Sequence, residues 1–217
     1  MMKSFVLLAF ACVASQAAMQ VELPRGAGVV ELSRDSSVKP VGDVGAVGDT
    51  LMELFDATNG THWTNSTGWG KADDWCTWFG VNCDGGSKVG PIGLVLNNNN
   101  LIGTLPVSLP KLQDLQALLM HDNQINGELP SDIGTIPYIQ VFWMSNNKLS
   151  GAVPASLGKI RHLSYMYLEQ NEFTSVACEQ PGGGKLNANT CDMSGNPLTC
   201  PIADWVGDPC QGKCRSQ

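Results

Sequence analysis

LVLNNNNLIGTLP begins at Leu94 and carries a pattern that the chain then repeats. The pattern returns at intervals of 24 residues as LLMHDNQINGELP from Leu118, FWMSNNKLSGAVP from Phe142 and MYLEQNEFTSVAC from Met166. A degenerate copy, CDMSGNPLTCP, begins at Cys191 and is preceded by one inserted residue. A unit of this length cannot bury its own apolar side, so several copies must stack on one another. The sequence therefore predicts a solenoid.

Each copy opens with apolar residues at alternate positions, which is the pattern of a short strand with one buried face. Stacked copies would place these strands side by side in a parallel sheet. Further apolar pairs, Leu109/Leu112, Ile133/Ile136 and Leu157/Ile160, predict short helical or 3₁₀ segments that close the back of each turn. The inward pairs of the strands are predicted to be Leu94/Leu96, Leu118/Met120, Phe142/Met144 and Met166/Leu168.

An asparagine follows each of these strands. Its side-chain amide can donate and accept, so it is predicted to bond to backbone groups of neighbouring turns at a bend that would otherwise bury unpaired polar atoms. Losing such a partner typically costs about 1–3 kcal/mol. The asparagines are Asn99, Asn123, Asn147, Asn171 and Asn196.

The repeated frame resembles that of secreted plant-type leucine-rich-repeat proteins, a group that includes the polygalacturonase-inhibiting proteins and the ectodomains of receptor-like kinases. The resemblance covers residues from about 50 to 214. It implies an α/β solenoid: a short right-handed leucine-rich-repeat coil with a parallel concave β-sheet, a helical N-terminal cap and a disulfide-rich C-terminal cap. It also implies a second short strand at each Gly-x-Leu-Pro tail, where a proline suits an edge position that donates nothing.

The rest of the chain divides by composition. Lys3, the apolar run that follows it and the small residues near Ala17 and Ala18 predict a secretory signal peptide. Thr50 and Glu53 form a potential capping box for a helix that opens the N-terminal cap. The predicted divisions are a signal peptide over 1–18, a flexible arm or pro-segment over 19–48, the N-terminal cap over 49–90, four repeats over 91–186, and a terminal repeat with the C-terminal cap over 187–217.

Removal of the predicted leader removes Cys12 and leaves seven cysteines. The segment CTWFGVNC resembles the cap pattern CxWxGVxC, and that resemblance implies a Cys76–Cys83 disulfide. The C-terminal stretch resembles caps of small secreted repeat proteins of protists and algae, and Cys178 lies outside that set. Because seven is odd, Cys178 is free, or it pairs with Cys191 and leaves another cysteine unpaired, or the protein dimerises through it. The C-terminal set is Cys191, Cys200, Cys210 and Cys214.

Composition and motifs disfavour several functions. The formal net charge of −7, or −8 without Lys3, disfavours nucleic acid as a partner. Residues His62, His121 and His162 are scattered, and no nucleophile has a base at recognisable spacing, so neither an enzyme nor a metal or cofactor site is predicted. No apolar stretch reaches the length of a membrane span. The predicted location is therefore secreted, extracellular or in a cell wall, with Asn59 and Asn65 as glycosylation acceptors.

The outward side chains of the predicted sheet form an apolar and aromatic stripe, and Trp143, Tyr165 and Tyr167 are its platform. We expect this stripe to face solvent, with polar side chains at the strand exits bordering it. A structural alternative is that the outward aromatics serve strand propensity and cross-strand packing alone. The candidate ligand-binding residues are Leu119, His121, Asp122, Trp143, Tyr165, Tyr167, Glu169 and Gln170.

These features predict a secreted, non-catalytic recognition module that binds a protein, a peptide or a cell-surface glycan through the concave sheet. Five strands about 4.8 Å apart give a sheet only ~20 by ~17 Å across, which suits a peptide, a loop or an oligosaccharide. The alternatives are a structural wall or matrix protein and an inhibitor of a secreted glycosidase. The sequence leaves the oligomeric state open.

Overall fold

The structure is a computed structural model that describes residues 19–24, 28–32, 44–71, 74–84, 90–176, 190–199 and 210–211. Within these ranges the chain forms a hairpin, a helix and two solenoid sheets. The strands are β1 Met19–Glu22, β2 Val29–Leu32, β3 Val81–Cys83, β4 Pro91–Val95, β5 Ile102–Thr104, β6 Ala117–Leu119, β7 Gln124–Gly127, β8 Val141–Trp143, β9 Lys148–Val153, β10 Tyr165–Tyr167, β11 Glu172–Val176, β12 Thr190–Asp192 and β13 Cys210–Gln211, and the helix is α1 Val44–Ala57.

The repeats build two sheets, one on each side of every turn. The larger sheet has seven strands in the order β13-β12-β10-β8-β6-β4-β3, and the smaller has four in the order β11-β9-β7-β5. Neighbouring strands of the larger sheet are parallel and in register, so that Leu94 pairs with Leu118 and Leu118 with Phe142. The exception is β3, which comes from the N-terminal cap and pairs antiparallel with β4. The predicted parallel sheet and the second short strands are confirmed.

The predicted core is also confirmed. All eight inward residues of the four strand pairs are fully buried. The apolar pairs at the back of the turns are buried as well, and 3₁₀ segments stand where they were expected, at Leu109–Lys111, Ile133–Thr135 and Ala155–Lys159. A single continuous cluster joins these residues from the helix α1 to Leu198.

The asparagines form the predicted ladder. The Asn123 amide donates to the carbonyl oxygens of Leu96 and Met120, each at 2.9 Å, and its oxygen accepts from the backbone nitrogens of Asn99 and Leu101. Equivalent bonds link each turn to the next through Asn147, Asn171 and Asn196. The first member differs, because Asn99 bonds to the backbone of Asn65 in the cap. The later asparagines therefore join successive turns, and Asn99 joins the first turn to the cap.

The N-terminal helix begins earlier than predicted, and the Thr50/Glu53 capping box is wrong. Because α1 starts at Val44, Thr50 lies inside the helix, where its hydroxyl donates to the carbonyl of Ala46 at 2.8 Å. The Glu53 carboxylate accepts from the hydroxyl of Ser108. The helix thus ties the cap to the first turn of the solenoid rather than starting with a reciprocal cap.

The cap that follows the helix has an aromatic core closed by a disulfide. Phe55 stacks on Trp69 at a centroid distance of 5.7 Å, and Trp63 meets Trp69 edge-on at 4.9 Å. The expected Cys76–Cys83 disulfide is present. These rings cover the first hydrophobic layer, which an open solenoid would otherwise expose.

The C-terminal cysteines are described only in part. Cys191 is buried and disulfide-bonded. Cys178, Cys200 and Cys214 lie outside the described residues, as does the side chain of Cys210. The disulfide pairing of this set stays a prediction, and the three alternatives for Cys178 stay open.

Candidate functional site

The side of the seven-stranded sheet that faces away from the core is called the outer face here. Its first column holds Val95, Leu119, Trp143 and Tyr167, which strand register places next to one another. The rings of Trp143 and Tyr167 lie 5.5 Å apart, as the 24-residue period requires. The second column holds Gly93, Ala117, Val141 and Tyr165. The predicted aromatic stripe is therefore assembled.

This stripe does not face solvent as predicted. Tyr167 is only 4% exposed and Leu119 only 5%, while Trp143 and Tyr165 are half-buried. The cover is the N-terminal hairpin, in which β1 and β2 pair antiparallel. Within the segment 19–48, predicted to be a flexible arm or pro-segment, the described residues form β1 and β2, which pack on the outer face, and the start of α1. The apolar residues of this contact are Val21, Leu23, Leu32, Ala117, Leu119, Val141 and Tyr167, flanked by Met19, Val30, Val95, Trp143 and Tyr165.

The hairpin fits one end of the outer face closely. Side chains of the second column grow along the stack from Gly93 through Ala117 and Val141 to Tyr165. A Cβ added at Gly93 would come within 2.4 Å of the Met19 sulfur, so Met19 occupies the space that the missing side chain leaves. Met19, at the start of β1, therefore packs at the end of the column where the side chains are smallest.

A polar row borders the apolar stripe where the strands end. Asn98, Asp122, Asn146 and Gln170 all take left-handed backbone conformations, with φ between 49° and 57°, and all four side chains are exposed. The Asn146 amide donates to the Asp122 carboxylate at 2.7 Å. Glu169 is half-buried beside this row. The predicted border residues Asp122 and Gln170 are therefore accessible beside the covered stripe.

His121 connects the polar row to the aromatic stripe. Its ring stacks on Trp143 with centroids 3.7 Å apart, and its side chain is only 12% exposed. The Trp143 indole donates to the Ser145 hydroxyl at 2.6 Å, which orients the stacked pair. Burial lowers the pKa of His121 to about 4, and the nearby Asp122 carboxylate opposes that shift only in part. His121 is therefore neutral in the folded protein at neutral pH.

The lowered pKa of His121 predicts a loss of stability in acid. Above pH 6.5 the ring is neutral in both the folded and unfolded chains, and it adds no pH dependence. As the pH falls from 6.5 toward 4, the unfolded chain binds a proton that the folded chain rejects, so the free energy of unfolding falls. We expect a loss of about 2–3 kcal/mol at pH 4.5 from this group.

Guanidinium unfolding at pH 7 and pH 4.5 measures this loss. The matched variant is His121→Phe, which keeps a ring on Trp143 but has no titratable nitrogen. Other groups titrate in both proteins, so the difference between their losses isolates His121. Equal losses in wild type and variant would contradict the assignment.

Two other kinds of site are absent from the described residues. No group of three or more histidine, cysteine, aspartate or glutamate side chains in those ranges is arranged to hold a metal ion. Among the described helices, none is long and apolar enough to cross a membrane. The outer face is therefore the feature on which a functional proposal can be based.

The architecture is similar to that of known leucine-rich-repeat proteins. The Leucine Rich Repeat family matches over residues 138–160. The ectodomain of the receptor kinase SOBIR1 from Arabidopsis thaliana is similar with a TM-score of 0.60 and 17% identity, covering 81% of this chain and 93% of that chain. The BIR2 ectodomain from the same plant is similar with a TM-score of 0.61 and 21% identity, covering 80% and 94%. The chain folds as a leucine-rich-repeat solenoid.

A third similar structure contains a ligand. The leucine-rich-repeat ectodomain of the Arabidopsis receptor kinase HAESA, solved with an N-terminally extended IDA peptide hormone, has a TM-score of 0.57 and 22% identity, covering 76% of this chain and 27% of that one. Among curated proteins, none matches this sequence. At these identities the likeness establishes the shared solenoid fold alone.

The sequence contained a signal for the hairpin that the repeat pattern overshadowed. MQVEL from Met19 and VVEL from Val29 are two short runs with apolar residues at alternate positions, and the glycine-containing PRGAG lies between them. Two such runs around a turn segment are the pattern of a β-hairpin. The shortness of these runs and a composition rich in glycine, valine and proline favour a flexible arm over a hairpin when the sequence is taken alone.

Proposed function

We propose that this protein is an extracellular, non-catalytic recognition module that binds a protein or peptide through the outer face. One observation carries the proposal: the outer face is a contiguous apolar and aromatic patch that already packs against an extended polypeptide segment, the hairpin. Half-buried Trp143 and Tyr165 supply anchor groups, since aromatic side chains with polar atoms are favoured at interfaces. The exposed polar row beside them can donate and accept hydrogen bonds.

Further observations support this class of function. The HAESA ectodomain, a solenoid of the same fold, was solved with a peptide hormone ligand. The Cys76–Cys83 disulfide is consistent with an oxidising extracellular compartment. Asn59 is exposed and Asn65 half-buried in the N-terminal cap, so the proposed glycans would be carried by the cap. The predicted leader, residues 1–18, lies outside the described residues.

An oligosaccharide is the second candidate ligand. Aromatic rings bordered by hydrogen-bonding groups, such as Trp143 and Tyr165 beside Asp122 and Gln170, can also hold a sugar ring. A peptide is favoured because the segment now packed on the outer face is itself polypeptide and meets it through apolar side chains. The two candidates are separated by the test below.

The proposal predicts ligands that depend on the aromatic anchors. The full chain would be screened against a displayed library of random peptides and against a glycan array, and binders would be measured by calorimetry. We expect peptide binders whose affinity falls at least about 30-fold in the double variant Trp143→Ala with Tyr165→Ala, because buried aromatic anchors typically contribute 1–2 kcal/mol or more each.

The matched control is Tyr138→Ala, which removes a half-buried aromatic residue outside the outer-face cluster. Its affinity should equal that of the wild type. If the double variant stays folded and keeps all binding, the outer face is not the recognition surface. Binders found on the glycan array alone would favour the second candidate.

A further inference from the structure

The hairpin is an amphipathic strand pair. Register pairs Met19 with Leu32 and Val21 with Val30, so these four side chains share one face. Leu32 and Val21 on this face are buried against the outer face of the solenoid. The opposite side carries Gln20, Glu22, Val29 and Glu31, all of which are exposed. The hairpin therefore meets the solenoid with alternate side chains only.

The contact is made by faces and not by edges. β1 and β2 form a sheet of their own, and no described strand of the solenoid joins them in a ladder. Between the described residues, strand pairing therefore contributes nothing to recognition across this contact. What the outer face selects is a set of apolar side chains at alternate positions along an extended chain.

We propose that the outer face is a docking site for an extended polypeptide with apolar side chains at alternate positions, and that the hairpin is a tethered occupant which such a partner displaces. This inference rests on the proposed function and names the partner class and its internal competitor. The hairpin gives the chemical pattern of the partner, because it is the segment that the face accommodates.

The hairpin lies outside the main core of the solenoid. Its main core is one cluster from Val47 to Leu198 that includes no hairpin residue, and the hairpin contacts form a second, separate cluster. Both solenoid sheets are complete without β1 and β2. An isolated two-stranded hairpin is marginally stable in water, so the docked and released states of this segment differ mainly by the apolar contact itself.

The covalent link between the hairpin and the solenoid increases the hairpin's occupancy of the outer face without adding contacts. Residues 33–43 separate β2 from α1, so the hairpin stays close to its site after each opening. A covalent connection makes rebinding intramolecular, with an effective concentration set by the length and stiffness of the link. A free partner must compete with that local concentration until the link is cut or the hairpin is displaced.

The test cuts the link in the full-length protein. A protease recognition site is placed within residues 33–43, and a fluorescent peptide of residues 19–32 is titrated before and after cleavage, with the released hairpin removed by gel filtration. We expect saturable binding of one peptide per protein after cleavage, at least about 100-fold tighter than before. A peptide with Val21→Asn and Leu32→Asn should lose this binding, whereas a Val29→Asn peptide should keep it.

Three outcomes would overturn the proposal. The peptide affinity could be the same before and after cleavage, so the hairpin would not occupy the peptide's site. The cleaved hairpin could stay bound through gel filtration and never exchange with labelled peptide, or the cleaved protein could unfold, and in either case the hairpin would be a structural element. The cleavage test uses only the protein's own hairpin peptide. If it fails, the peptide and glycan screen still tests the proposed function separately.

Discussion

Replacement of Asn147 by alanine is expected to lower the free energy of unfolding by about 2–6 kcal/mol. The Asn147 amide donates to the carbonyls of Met120 and Met144 at 3.0 and 3.1 Å, and its oxygen accepts from the Ile125 nitrogen at 3.0 Å. All three bonds are buried. Each carbonyl keeps a bond from a neighbouring asparagine of the ladder, so the Ile125 N–H is the group left without this partner, at about 1–3 kcal/mol, and the two lost carbonyl bonds cost about 0.5–1.5 kcal/mol each. Alanine offers no partner, and the packed turns leave little room for water.

Urea unfolding of two control variants separates the ladder from general effects of substitution. Lys148→Ala changes the next residue, whose exposed side chain donates to Gln124, and it should change stability by less than about 0.5 kcal/mol. Asn147→Asp keeps the acceptor but loses the donor, so it should remain strongly destabilising. A loss below about 1 kcal/mol for Asn147→Ala would show that the ladder does not hold the turns together.

The second large effect is expected at Leu32. This side chain is 0% exposed between the hairpin and the outer face, and Leu32→Asn would place an amide in an apolar contact. Relative to the docked state the change costs about 3–5 kcal/mol. Because a hairpin of this size is marginal alone, we expect its amide protection to vanish while the solenoid stays folded.

Hydrogen exchange resolved by residue measures this difference. In Leu32→Asn the amides of β1 and β2 should exchange at the rates of an unfolded peptide, whereas amides of β8 and β10 should keep most of their protection. Val29→Asn is the matched control, because Val29 lies on the same strand but is 55% exposed on the opposite side. Global loss of protection in Leu32→Asn would instead make the hairpin part of the cooperative core.

Much of the fold was predictable because its information is periodic. Phe142 and Met144 had to point inward once the 24-residue frame was recognised, and the pairing of Trp143 with Tyr167 followed from the same frame. Asn147 had to bond across turns because its position recurs at each bend. The start of α1 was not predictable in this way, since a capping-box pattern such as that at Thr50 also arises by chance, and the helix reaches back past Val47, which is buried in the core.

The sequence assigns residues to the outer face, but the prediction that their side chains are exposed is wrong. The repeat alone assigned Leu119, Trp143 and Tyr167 to one column of the outer face, because strand alternation and stacking are local rules that the residue order obeys. Whether that column is exposed to solvent depends on the hairpin, whose Leu32 shares one apolar cluster with Tyr167 although more than a hundred residues separate them in the chain. No local pattern encodes such a contact, since burial is settled by the apolar area that two distant segments remove from water together.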